Sequence, residues 1–300
     1  LNKSFHSNGK LLLTGEYVVL DGALALAIPT KYGQSLEIEF AEKAEIHWES
    51  LDEKEEIWFK ESFKLENLQP SNPENKYSQT LSKILQEARN LNPGFLSTNS
   101  GIEVRTKLDF PRVWGLGTSS TLINNIAQWA SVDAFTLLNK SFGGSGYDIA
   151  AAQHNFPILY KLLEDNPHFQ KVNLEWDFKE SLFFIHLNEK QDSKEGIAHY
   201  RKTEIPREII QEISVIGNQL LQITQLSEFQ YLIDLHEEII SKILKLPTIK
   251  SRIFQDYPHS IKSLGAWGGD FVLATGTFSE MEYFKNKGFK TIIPFGDMIR

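Results

Sequence analysis

Residues 111–130 read PRVWGLGTSSTLINNIAQWA. A proline and two glycines set a tight turn, three hydroxyl residues follow, and apolar residues then recur at helical spacing. The first N–H groups of a helix lack backbone partners and carry the positive end of its dipole. A glycine loop ahead of them lets an anion approach closely, and a phosphate suits that geometry. The hydroxyls can add hydrogen bonds or reach a phosphate-associated Mg²⁺. A capped helix after a tight turn explains the same residues without a ligand. The stretch is not a Walker loop, because GxxxxGK[ST] is absent. Nor is it a dinucleotide fingerprint, because Ser120 stands where the third glycine would be.

The rest of the chain narrows the choice. Its 300 residues suffice for two packed domains. A net charge of -8 argues against a nucleic-acid surface, although a few local basic residues can still hold a small anion. The absence of cysteine excludes disulfides, thiolate zinc sites and cysteine nucleophiles. No apolar run has membrane-spanning length, and LNKSFHSNGK lacks the apolar core of a signal peptide. A cytoplasmic enzyme with neither a nucleic-acid nor a membrane partner is the expectation.

Patterning predicts a mixed α+β chain. Residues 3–40 read as β-rich, with apolar runs at Leu11–Leu13, Val18–Leu20 and Ala23–Ile28, the last stopped by Pro29. SLEIEF, AEIHWES, EEIWFKE and GIEVRTKLDF read as strands, and Asn75–Leu91 as a helix. Thr118–Leu138 reads as one long helix, DIAAAQHN as a short one and PILYKL as a strand. The polar residues 162–173 read as a connection between two halves, 1–165 and 166–300. VNLEW and SLFFIHLN look strand-like. Residues 206–245 have helical periodicity in two segments, and the remainder reads strand, glycine-rich turn, strand, helix, strand.

Two further glycine-rich stretches bear on the first. GGSGYDIAAA, residues 143–152, presents Asp148 at the start of a short helix. An Asp there is usually a helix cap; at a phosphate site it would accept or orient the proton of an attacking hydroxyl. SLGAWGGDFVLA, residues 263–274, lies between two expected strands. Together with NGKLLLTGEYVVLDGA at 8–23, these stretches resemble the GHMP kinase superfamily, in motif order and over residues 8 to 275. The N-terminal motif, GSGYDIAAA and the GGD of GAWGGD look most like phosphomevalonate and mevalonate kinases. The resemblance implies a two-domain α+β fold, with an N-terminal domain like domain 2 of ribosomal protein S5 and a ferredoxin-like C-terminal domain. It also implies transfer of the ATP γ-phosphate to a small-molecule acceptor, with mevalonate or phosphomevalonate the expected class. A homodimer is expected by resemblance alone.

Carried over by position, Gly115, Leu116, Gly117, Thr118, Ser119 and Ser120 match the phosphate loop that binds ATP. Ser119 matches the hydroxyl that reaches Mg²⁺. Asp148 matches the catalytic carboxylate, and Lys10 the lysine that offsets charge during transfer. Glu16 matches an acidic residue on the substrate side. Gly265, Ala266, Gly268 and Gly269 match the C-terminal glycine motif, which shapes the substrate wall. Three departures stand out. Asn8 replaces the usual proline before Gly9-Lys10. Trp267 replaces a glycine, where an indole would block a phosphate or stack on a ligand. The segment between Ser119 and Asp148 lacks the Mg²⁺-binding Glu of mevalonate kinases, leaving Asp133 as its one acid, expected on a solvated helix face. Trp267 and the missing Glu motivate an alternative, a protein of this fold that binds nucleotide or metabolite without turnover; a related diphosphomevalonate decarboxylase is a third, weaker reading.

Overall fold

A computed structural model describes residues 3–98, 100–189, 193–265, 267 and 269–300. In chain order the elements begin β1 (Lys3–Leu12), β2 (Ala25–Ala41), β3 (Glu45–Leu51), β4 (Ile57–Lys64), α1 (Lys76–Leu91) and β5 (Gly101–Leu108). Helices α2 (Thr118–Ala130), α3 (Ala134–Ser141) and α4 (Tyr147–Gln153) follow, then strands β6 (Ile158–Leu163), β7 (Asn166–Lys171) and β8 (Leu182–His186). Four helices come next: α5 (Ser193–Tyr200), α6 (Arg207–Gln219), α7 (Leu226–Leu244) and α8 (Ile249–Ile253). The chain closes with β9 (Ile261–Ser263), β10 (Phe271–Thr275), α9 (Glu282–Asn286), β11 (Ile292–Pro294) and α10 (Phe295–Met298). No helix among the described residues is long and apolar enough to cross a membrane.

The chain divides into two compact units, each assembled from separate segments. The first comprises Leu1–Gly9, Tyr32–Arg112 and Gly117–Gln153; the second comprises Lys10–Lys31, Val113–Leu116 and His154–Arg300. The Gly115–Ser120 segment therefore passes from one unit to the other between Leu116 and Gly117.

In the first unit, β4, β3, β5 and the distal part of β2 lie side by side. Strand alternation decides the faces. Ile46, Trp48, Leu36, Ile38, Ile102 and Val104 are buried, while the intervening Glu37, Glu39 and Glu103 face solvent. The buried face forms one core with Leu81, Ile84, Leu85 and Ala88 of α1 and Ile123 and Ile126 of α2. Each leucine and isoleucine among them contributes about 1.5–3 kcal/mol on full burial. Asn75 caps α1 by accepting from the N–H groups of Tyr77 and Ser78.

In the second unit, the sheet order β11-β8-β10-β9 is antiparallel throughout. Numbered within the sheet, the order is fourth, first, third, second, with helices after the first and third strands, which is the ferredoxin-like arrangement the resemblance implied. Phe183, Ile185, Val272 and Ala274 of this sheet pack on Phe254, Tyr257 and Phe284.

Several elements differ from the sequence reading. Val18–Asp21 is a 3-10 turn rather than a strand. Strand β2 runs through Pro29. Residues 25–27 pair with β6 and residues 34–41 with β5, so Pro29 falls between these two pairings. The expected helix 118–138 breaks into α2 and α3, because Ser131 adopts a left-handed conformation and Asp133 restarts the helix as its cap. The polar stretch at 162–173 carries β7, which pairs antiparallel with β6. Its two-residue turn, Glu164-Asp165, has positive φ at both positions, as a tight hairpin requires. VNLEW forms no strand.

Candidate functional site

The glycine loop has the backbone an anion cradle needs. Gly115 and Gly117 have φ of 67° and 90°, conformations that cost a residue with a β-carbon about 1–2 kcal/mol. Gly117 is the N-cap of α2 and supplies no side-chain hydrogen bond to the first turn. The Thr121 N–H closes the first turn onto the Gly117 carbonyl at 3.0 Å. Thr118 is half-buried and Ser119 exposed, so their hydroxyls are accessible. Ser120 differs: it is buried, and its Oγ donates to the Gly117 carbonyl at 2.8 Å. Its hydroxyl shapes the turn from inside.

Asp148 belongs to the same unit as this end of α2. It is half-buried in the first turn of α4, and its Oδ1 accepts from the Ile149 N–H at 3.1 Å. Helix α4 is tied to α2 by a bond from Gln153 Nε2 to Asn124 Oδ1 at 3.0 Å. Asp133 is a helix cap, accepting from the Thr136 N–H and from Thr136 Oγ1, both at 2.7 Å. That role explains it fully.

The second unit gathers Lys10, Gly115, Leu116 and Gly265. The Lys10 N–H donates to the Leu116 carbonyl at 3.0 Å, and Lys10 Nζ lies 3.5 Å from the Gly115 carbonyl oxygen. Lys10 is buried, so its ammonium is directed along this loop rather than into bulk water. Gly115 and Gly265 both press against Asp270. A β-carbon at 115 would stand 2.4 Å from Asp270 Cγ, and one at 265 would stand 3.0 Å from its Oδ2. Gly269 is buried directly before this aspartate. Ala266 and Gly268 lie outside the described residues.

Trp267 has its indole tied to helix α7. It is buried, and its Nε1 donates to Glu237 Oε1 on α7 at 3.3 Å. Glu237 belongs to a buried polar network that also takes in Glu16. Lys262 Nζ donates to Glu16 Oε1, to Glu237 Oε1 at 3.1 Å and to the Ser263 carbonyl at 2.6 Å. Ser263 Oγ donates to Glu237 Oε2 at 2.8 Å. On the other side, Glu16 Oε2 lies 3.3 Å from His236 Nε2, which accepts the Gly15 N–H at 3.0 Å. Glu16, His236, Glu237 and Lys262 are all buried.

Burial pushes the Glu16 carboxyl up to about 7, with the attraction of Lys262 only partly offsetting it. Burial also carries His236 well below its ordinary range, and the Lys262 charge adds to that effect. For Lys262, burial works against the charged form, but the Glu16 and Glu237 carboxylates outweigh it and raise its pKa. The consistent state has a neutral imidazole, a charged Lys262 and, near neutrality, a proton shared in time by Glu16. The lone pair of His236 Nε2 is taken by the Gly15 N–H, so Glu16 Oε2 has no hydrogen-bond partner among the described residues, which adds to the cost of its charged form. Glu16 therefore faces a buried lysine and histidine, not an open surface.

Next to Glu16 the backbone is strained. Tyr17 has φ 63° and ψ −47°, and the Val18 N–H donates across it to the Glu16 carbonyl at 2.7 Å. This is a γ-turn of the rare positive-φ kind, a conformation that costs about 1–3 kcal/mol. It sends Glu16 into the network while the Tyr17 ring stacks on Tyr200 at 5.6 Å. Tyr200 in turn donates to Asp21, which pairs with Arg201 at 2.8 Å.

Reasoning from sequence missed Asp270, His236, Glu237 and Lys262. Asp270 stood in view in the GGD triplet, but nothing there showed it reaching Gly115. The other three sit among other polar residues in LIDLHEEII and SIKSL and carry no spacing signal.

No family model matches this sequence, and no curated protein matches it. Solved structures do resemble it. The Methanococcus jannaschii mevalonate kinase aligns over 97% of this chain and 96% of its own, at 18% identity and a TM-score of 0.70. A Streptococcus pneumoniae phosphomevalonate kinase, solved with phosphomevalonate and AMPPNP, aligns over 95% of each chain at 18% identity and a TM-score of 0.68. The Lin0012 protein from Listeria innocua aligns over 98% and 97%, at 14% identity and a TM-score of 0.72. The chain thus has the α+β fold of the GHMP kinases. At such identities the likeness speaks to fold, and the case for an activity has to come from the residues.

Proposed function

We propose that this chain is an ATP-dependent small-molecule kinase, transferring the γ-phosphate to a mevalonate-pathway acceptor, mevalonate or phosphomevalonate. The observation that carries the reading is the loop at Gly115–Gly117. Its left-handed glycines open into a helix whose cap offers no side-chain bond, and Lys10 lies along the same loop. The donor set fits a nucleotide with its metal: bare N–H groups at a helix start, an ammonium, an exposed hydroxyl and carboxylates, all hard oxygen or cationic groups.

Phosphoryl transfer depends mainly on positioning and charge neutralisation. The first N–H groups of α2 and the hydroxyls of Thr118 and Ser119 hold phosphate oxygens. Lys10 offsets the charge that builds on the transferred group. Asp148 takes the proton of an acceptor hydroxyl; with a phosphate acceptor, already ionised, it orients the acceptor and balances Lys10. Mg²⁺, held by Ser119 and Asp148 together with the nucleotide, would supply further neutralisation. By resemblance, Glu16 and the glycine motif of Gly265, Ala266, Gly268 and Gly269 are assigned to the acceptor side. The new P–O bond forms on the acceptor as ADP leaves. The Trp267 indole, bonded to Glu237, offers one of the two motives for binding without turnover less support; the missing Mg²⁺-binding Glu remains.

A coupled ADP-release assay with Mg²⁺-ATP tests this, using mevalonate, phosphomevalonate, sugars and amino-acid alcohols as acceptors. The expected outcome is ADP release that requires one acceptor and disappears in Asp148→Ala. Nucleotide binding with no acceptor-dependent release across the panel would defeat the proposal.

A further inference from the structure

Asn124 and Asn125 interrupt the apolar face of α2, and no step above uses them. Both are buried at mid-helix, 2% and 0% exposed. Asparagine is a poor helix former, and a side-chain amide taken out of water is costly unless its polar atoms find partners. Here the partners form a chain that runs in one direction. Gln153 Nε2 on α4 donates to Asn124 Oδ1 at 3.0 Å, and Asn124 Nδ2 donates to Ser7 Oγ on β1 at 2.8 Å. Ser7 Oγ donates to Asn125 Oδ1 at 2.7 Å, and Asn125 Nδ2 donates to the Gln34 carbonyl on β2 at 2.8 Å. One turn earlier in α2, Thr121 Oγ1 donates to Gln34 Oε1 at 2.7 Å. Ser7, Gln34 and Thr121 are buried as well, and every member of the chain belongs to the first unit.

Stability alone does not call for this chain. Apolar residues of like shape can replace a buried polar set at little cost, so what the set adds is a unique arrangement. Direction makes it unique: turning either asparagine amide over sets donor against donor or acceptor against acceptor. The buried side chains of α4 itself are Ile149 and the alanines 150–152. Their burial is non-directional and holds the helix down without fixing where it stands along its axis. The Gln153 bond supplies that register. Sliding α4 by one residue, about 1.5 Å, takes the donor away from the buried Asn124 Oδ1. The two helices joined in this way carry the Asp148 carboxylate in the first turn of α4 and the Thr118 and Ser119 hydroxyls in the first turn of α2. A misplacement of about 1 Å at a reacting group can cost a hundredfold in rate.

We propose that Asn124 is a positioning residue for Asp148: through Gln153 it fixes the register of α4 on α2, and with it the place of the carboxylate relative to the first turn of α2. This rests on reading Asp148 and the start of α2 as parts of a phosphoryl-transfer site.

The test is steady-state ADP release by the full chain, with the acceptor identified in the panel, for wild type, Gln153→Met and Gln153→Lys. Gln153 is exposed, so neither variant should lose its fold. Methionine keeps the length of the side chain and removes the donor, whereas lysine keeps a donor. In Gln153→Met, kcat should fall about fivefold or more while KM for ATP stays within about twofold. Gln153→Lys should restore kcat to within about twofold of wild type. An unchanged kcat in Gln153→Met overturns the proposal, and so does an equal fall in Gln153→Lys. A double-mutant cycle with Asn124→Leu checks the path. Once Asn124 is gone, adding Gln153→Met should slow the enzyme no further, and losses that simply add overturn the link between the two residues. A wild type that releases no ADP with any acceptor overturns the phosphoryl-transfer reading itself, and this inference with it.

Discussion

Substituting Glu16→Gln copies the protonated form of a buried carboxyl, so it should remove a pH dependence that wild type carries. The amide oxygen can still accept from Lys262, and the amide, like the protonated carboxyl, brings no charge into the buried network. Burial lifts the folded carboxyl from an ordinary 4.5 to about 7. The folded protein therefore holds a proton that the unfolded chain releases. Its contribution to stability is complete below pH 4.5 and is lost as pH rises through 7. At 1.36 kcal/mol per unit, the loss is roughly 3 kcal/mol. Glu16 is 1% exposed, so solvent screening barely reduces this figure. Urea unfolding followed by circular dichroism, from pH 5 to 8.5, measures it. Wild type and Glu16→Gln should be similar at the acid end. The variant should be the more stable at the alkaline end, by roughly 2–3 kcal/mol. Parallel profiles for the two proteins would refute a raised Glu16 pKa and the proton sharing drawn from it.

Other substitutions probe the same architecture. Gly115→Ala places a β-carbon 2.4 Å from Asp270 Cγ at positive φ. It should cost at least about 1–2 kcal/mol in urea unfolding and weaken ADP binding in calorimetry. Lys262→Met leaves the Glu16 and Glu237 carboxylates buried without their cation. The loss should be about 3–5 kcal/mol at neutral pH in the same unfolding measurement. Asp133→Ala removes only a helix cap and should cost about 1 kcal/mol while leaving ADP affinity unchanged.

Much of the fold could be read from residue spacing. Leu81, Ile84, Leu85 and Ala88 mark one face of α1, and the alternation in GIEVRTKLDF marks β5, because burial of one face imposes those periods. Reading failed where a backbone conformation, not a period, set the boundary. Apolar residues recur from Leu122 through Leu138, so the break at Ser131 leaves the pattern intact. The β6–β7 hairpin turns on Glu164-Asp165 without a glycine, and β7 carries one large apolar residue, Phe169, so neither signalled a strand. For the candidate site, local motifs pointed to Gly115–Ser120, since loop and helix start are adjacent in sequence, and a motif resemblance pointed to Lys10 and Asp148. Asp270 and the Glu16–Lys262–Glu237–His236 network depend on residues brought together from distant segments. In LIDLHEEII, His236 and Glu237 look like solvent positions of an amphipathic helix until Lys262 on β9 is placed against them.

Phosphoryl transfer itself is tested most directly by following phosphorus. Incubating the protein with Mg²⁺-ATP and the acceptor selected in the ADP-release panel, then recording ³¹P NMR spectra, reports the fate of the γ-phosphate. A new phosphorus resonance on the acceptor, growing as the γ signal decays and absent with Asp148→Ala, is the expected result. Decay of the γ signal into inorganic phosphate alone, or equal transfer by Asp148→Ala, would contradict the account.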